Sequence, residues 1–146
     1  MKRVAVILAP TIAAADRAAV SMAASKLGGE VICYCTSDRS WRYGAAAGFS
    51  AAWLGDPTLI EFDIALVGGF NDFMPAVLAE AKHAALVFNT IGVQITGDQL
   101  HVTRALGHGD REKLTITGTA VLGISDQAPN EYYISRHRRR TVGNPP

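Results

Sequence analysis

Apolar residues fall in short unbroken runs through the first half of the chain and alternate with polar ones through the second. Val4 to Ala9 is continuous, as expected of a strand covered on both faces in a parallel sheet. Ala13 to Leu27 is rich in helix formers, with Thr11 placed to cap it and Gly28-Gly29 to stop it. Val31 to Thr36 predicts a second strand, so these elements form a βαβ unit with a right-handed crossover. Trp41 to Gly48 carries a weak, glycine-interrupted helical signal. Ala51 to Leu54 reads as a short strand or extended edge before the turn Gly55-Asp56-Pro57. Asp63 to Val67 is another buried-type run ending in Gly68-Gly69, and Asp72 to Ala84 places Phe73, Val77, Leu78 and Ala81 at helical spacing.

From Leu86 the period becomes two. Val93 and Ile95, then Leu100 and Val102, flank Gly97-Asp98, which predicts a two-residue hairpin. A second reversal over Gly107 to Asp110 leads to Leu114 and Ile116, then Val121, Leu122 and Ile124, with a bend at Gly118. Pro129 ends regular structure. The pattern predicts one domain of α/β class: a parallel three-layer half over 1–85, a β-meander over 86–128 and a C-terminal basic arm over 129–146.

A chain of 146 residues can bury a single core, and 49% hydrophobic content with a net charge of +1 argues against disordered and strongly nucleic-acid-seeking classes. The apolar run after Met1 stops at Pro10 without a cleavage-type region, and no run approaches the roughly 18 to 20 residues that span a bilayer. The expectation is a cytoplasmic protein with no membrane insertion. Cys33 and Cys35, two apart on one strand, point to the same face, a poor geometry for a bond between them. Two reduced thiols are expected.

Open α/β sheets bind ligands at the carboxyl ends of their strands, where helix N-termini present free N–H groups. Those ends supply the candidate cofactor-binding residues Ala9, Pro10, Thr36, Ser37, Gly68, Gly69, Asn71 and Asp72. None forms a G-x-G-x-x-G fingerprint or a P-loop, and Gly68-Gly69 also reads simply as a tight strand-to-helix turn. His83, His101, His108 and His137 have no ligand spacing, and Ser21 and Ser125 no nucleophile-elbow context. No metal site and no catalytic residue is expected. The basic run Arg136 to Arg140 is small for a nucleic-acid module and lacks its interleaved aromatics. It reads as a solvated terminus or as a contact to a protein or a cofactor phosphate; beside it, Tyr132, Tyr133 and Ile134 favour the contact, with Arg136, Arg138 and Arg139 as anchors for a partner.

Val87 to Gly109, followed by Ala120 to Asp126 and Asn130-Glu131, resembles the β-subunit of electron-transfer flavoproteins, where a strand pair leads to a PAVVTV-type strand, an N-E-P-R-Y segment and a lysine-rich arm. Gly28-Gly29-Glu30-Val31 is similar to that family's G-G-E-V strand, and Asp63 to Gly69 to its D-L-V-L-x-G strand. Pro75 with Leu78-Ala79-Glu80 is similar to the start of the helix that follows its phosphate loop. The likeness spans most of the chain in order. It implies an adenine-nucleotide α-hydrolase-like, flavodoxin-like fold and a dimer with an α-subunit-like protein or with a second copy. It also implies FAD shared with or held by the partner, and a structural AMP. Three features depart from the family: the stretch after the first strand is short, Asn71-Asp72-Phe73-Met74-Pro75 replaces D-G-D-T-x-Q, and Tyr132-Tyr133 replaces Pro-Arg. A carboxylate at Asp72, where the family has glutamine, would repel a phosphate and argues against AMP. The reading is an electron-transfer β-subunit-like protein whose arm and ribbon form the interface. The alternative is a ligand-binding or regulatory module of the same fold without redox function.

Overall fold

A computed structural model describes residues 2–70, 73–132, 134, 136–143 and 145–146 of the chain. Strand β1 (Arg3–Ile7) runs through the middle of the core. Val4, Val6 and Leu8 face one apolar cluster, shared with helices α1 (Ala14–Met22) and α2 (Asp38–Ala46). Ala5 and Ile7 face a second, with Phe62 and with Leu78 of α3 (Phe73–Lys82). A strand covered on both faces has no wet position, which is why its sequence is unbroken. Strands β2 (Glu30–Cys35) and β4 (Ile64–Val67) flank β1 in parallel, and β3 (Ser50–Trp53) forms the edge beyond β2.

Three local features differ from the sequence expectation. Thr11 does not cap α1: the N-cap is Ala13, whose N–H donates to the Asp16 carboxylate at 2.9 Å. The predicted helix over 13–27 ends at Met22 and continues as a π-helical turn, Ala23–Leu27. Helix α2 begins at Asp38, ahead of its sequence signal, because Ser37 caps it. Its interior glycine has a packing cause, since a Cβ at Gly44 would stand 2.9 Å from the Cys33 Cβ.

The larger difference is in the second half. Strands β5 (Ala85–Thr96), β6 (Gln99–Gly107) and β7 (Asp110–Thr117) form the expected antiparallel ribbon, with the two-residue hairpin at Gly97-Asp98. However, β8 (Ala120–Ile124) is not the meander's last strand. It inserts between β4 and β5, parallel to both, pairing Leu122 with Leu66 and with Val87. Ala120-Val121-Leu122-Gly123-Ile124 is buried at every residue, as the centre of a doubly covered sheet requires, whereas a meander strand with one wet face would alternate. The eight-stranded mixed sheet thus has the order β3-β2-β1-β4-β8-β5-β6-β7.

Only Gly118 and Thr119 separate β7 from β8, a link that reaches roughly 10 Å. The ribbon must therefore turn back. Register shifts at Val87/Thr90 and Thr90/Gly92, with Asn89 at φ 56°, bend β5. Val93, Leu100 and Val102 accordingly join the cluster formed by β1, α1 and α2.

Cys33 and Cys35 are buried free thiols in that cluster. Burial pushes both up, Cys35 to about 11 and Cys33 further, with the Cys35 charge adding to the effect at Cys33. Because the folded values lie above the unfolded value of about 9, stability is fully present below pH 9. It falls as pH rises from there towards the folded values, most for Cys33. Urea midpoints measured at about pH 8 and pH 10 should fall more steeply for the natural chain than for Cys33→Ala; equal slopes would contradict this.

Candidate functional site

The strand ends singled out in the sequence do converge. The Thr36 hydroxyl donates to the Leu8 carbonyl at 3.0 Å and the Ser37 hydroxyl to the Pro10 carbonyl at 2.7 Å, which joins the loops after β1 and β2. The loop after β4 is held by Asp16, whose wholly buried carboxylate accepts the N–H groups of Ala9, Ala13 and Gly69, each at 2.9 Å. A Cβ at Gly68 would collide with this carboxylate, and one at Gly69 would lie 2.5 Å from its Oδ2. The glycine pair is therefore there to admit a carboxylate of the chain itself.

These loops spend their polar groups on one another. The amides of Ala9 and Gly69 point at Asp16, Ser37 also accepts the Ser40 N–H, and the buried Ser40 hydroxyl accepts the Thr36 and Ser37 N–H groups. Candidates Asn71 and Asp72 lie outside the described residues. Ser37→Ala removes a helix cap and the link to Pro10, and should cost about 1 to 2 kcal/mol in urea unfolding; no loss would show the cap to be redundant.

Beside the loops opens a cleft of about 780 Å³, between the opening turns of α1 and α2 and the C-terminal helix α4 (Arg136–Thr141). Arg17, Arg39, Arg42, Arg139 and Arg140 line it with the buried Tyr43, and among the described residues no carboxylate lines it. Arg17 and Arg39 stand near helix N-termini, where the helix dipole disfavours a cation. Among the described residues, no ion pair engages Arg17, Arg39, Arg139 or Arg140. The Arg139 guanidinium carbon lies 6.0 Å from the Tyr43 ring centroid, and its Nε is buried with no hydrogen-bond partner among the described residues. Burial raises the Tyr43 phenol, and the positive charges of Arg17 and Arg139 oppose that rise.

The arm lies on the chain's own helical face. The Glu131 N–H donates to the Ser21 hydroxyl at 2.8 Å, the Tyr132 hydroxyl donates to the Ala47 carbonyl at 3.1 Å, and Lys26 pairs with Glu131 at 3.4 Å. Ile134 is 4% exposed, and Arg138 reaches the backbone near Gly48. Of the expected partner anchors, Tyr132 and Ile134 are thus engaged within the chain, and Arg139 faces the cleft. Tyr133 and the Arg136 side chain lie outside the described residues.

Sequence reasoning missed Asp16, Arg17, Arg39 and Arg42 as members of one site. Two signals were available: a lone acid three residues into an alanine-rich helix, and cations in opening turns where the dipole opposes them.

No known family model and no curated protein matches the sequence. Among the described residues, no group of three or more His, Cys, Asp or Glu is placed to hold a metal, and no helix is long and apolar enough to cross a membrane.

Proposed function

We propose that the chain is a subunit similar to the β-subunit of electron-transfer flavoproteins, supporting flavin-mediated electron transfer within a dimer and transforming no substrate of its own. FAD would be shared with or held by an α-subunit-like partner or a second copy. The observation that carries this reading is the arginine cleft at the carboxyl ends of β1 and β2, where open α/β sheets receive the phosphates of nucleotide cofactors. The arrangement of β2, β1, β4 and β8 supports the flavodoxin-like, adenine-nucleotide α-hydrolase-like fold that the resemblance implies. The cleft offers guanidinium forks suited to phosphate oxygens, and among the described residues its lining includes neither carboxylate nor histidine. The loops favour no AMP, because Asp16 already holds the amides a phosphate there would need.

A second reading, an anion-binding module of the same fold without redox function, is favoured by the arm's placement on its own domain. Visible absorption and mass spectrometry of released small molecules separate the two, on protein purified alone and co-expressed with its genomic neighbours. Flavin that appears with a co-purifying partner supports the electron-transfer reading. Colourless protein in both preparations overturns it in favour of the second.

A further inference from the structure

The cleft supports a narrower statement, which rests on reading it as the cofactor site. We propose that it takes a ligand bearing two adjacent phosphate groups, and that α4 is the clasp that closes on that diphosphate without help from a partner subunit.

Arg17, Arg39 and Arg42 come from the body of the domain, and Arg139 and Arg140 from the arm, so cations face cations across the cleft. The sequence of α4, Arg-His-Arg-Arg-Arg-Thr, contains no apolar residue. The arm's apolar attachments lie on either side of it, Tyr132 and Ile134 before and Val142 after. Apolar anchors and the Arg139–Tyr43 contact hold α4 against the domain while its cations repel those of the facing wall, and an anion between the two walls converts that repulsion into attraction.

Geometry then selects the kind of anion. Five guanidinium groups line the cleft, more than the oxygens of one phosphate can serve in paired, bidentate fashion, whereas a diphosphate offers one phosphate group to each wall. The volume of about 780 Å³ holds such a group with room for the rest of a cofactor. The buried Arg139 Nε is a donor lacking an acceptor among the described residues, a costly state that an oxygen in the cleft would relieve.

The test uses the full-length chain alone at low salt, with inorganic pyrophosphate and inorganic phosphate as probes in calorimetry, and tryptic cleavage after Arg138 to Arg140 followed by mass spectrometry. Pyrophosphate should bind about tenfold or more tightly than phosphate and slow cleavage in the arm several-fold. Arg139→Gln and the exposed-site variant Arg39→Gln should each weaken pyrophosphate about tenfold. Arg104→Gln, on the ribbon and paired with Glu112, should not. Equal binding of the two anions, unchanged cleavage, or an Arg39→Gln variant that folds and binds like the natural chain overturns the proposal. If pyrophosphate clamps the arm but no flavin is found with any partner, the clasp stands and the electron-transfer reading falls. Flavin with a partner but no pyrophosphate binding gives the reverse.

Discussion

Replacing Asp16 with alanine should lower the unfolding free energy by about 3 to 5 kcal/mol, the largest effect expected of any polar substitution in the chain. Three amides, from Ala9, Ala13 and Gly69, would lose their shared acceptor in a site where Asp16 itself is wholly buried. Each unmet buried donor costs about 1 to 3 kcal/mol, and water entering the space left by the side chain keeps the sum below three full penalties. Against a typical stability of about 5 to 15 kcal/mol, that loss is enough to leave the chain marginally folded. Asp16→Asn should be milder, about 2 kcal/mol. Its one carbonyl oxygen can serve Ala9 and Gly69 as Oδ1 does, while its NH₂ group would face the Ala13 N–H. Urea unfolding of the two variants is the measurement. A loss under about 1 kcal/mol for Asp16→Ala would mean that the three loops are held by something other than this carboxylate.

Ile134→Ala should cost about 2 to 4 kcal/mol, because this single arm residue is buried in the same apolar cluster as α1 and α2. The value distinguishes two conditions of the arm. If residues 129–146 dock on their own domain in solution, truncating Ile134 leaves a cavity in the core and the midpoint drops. If the arm instead leaves to embrace a partner, the isolated chain loses little and the cost appears in the dimer. Urea unfolding at two protein concentrations, together with sizing of a chain cut before Pro129, decides between them. A near-zero effect in the monomer would refute intramolecular docking. Survival of an intact dimer without the arm would refute the arm as the interface.

Much of the fold was legible because burial leaves a direct trace in sequence. Val4 to Ala9 and Asp63 to Val67 read as doubly covered strands, and the buried residues Ile64 to Val67 show why: neither face can accept a polar residue. Gly97-Asp98 read as a hairpin because the flanking alternation matches a pleated surface with one wet side. The same rule contained the correct place for β8, whose unbroken apolar residues belong to a central strand. Proximity to the alternating ribbon made it look like part of the meander.

The site was legible only in outline. Its location at the ends of β1, β2 and β4 follows from the α/β pattern, whereas its occupants do not. The cleft draws Arg17 and Arg39 from two helices and Arg139 from the arm, a separation that no local spacing encodes. The candidate amides failed as open ligand donors for a similar reason: their partner, Asp16, sits 53 residues before Gly69 and reaches it only because α1 packs beside the turn after β4.

By itself the sequence determined the α/β class, the hydrophobic faces of β1, β4 and the ribbon, the first hairpin and the shared face of both cysteines, since each depends on residue period and on the cost of burying polar groups. Tertiary structure alone decided the insertion of β8, the return of the ribbon over the helices, the carboxylate that joins the loops and the meeting of five arginines. Each of these is a contact between residues distant in the chain, fixed by the packing of whole elements.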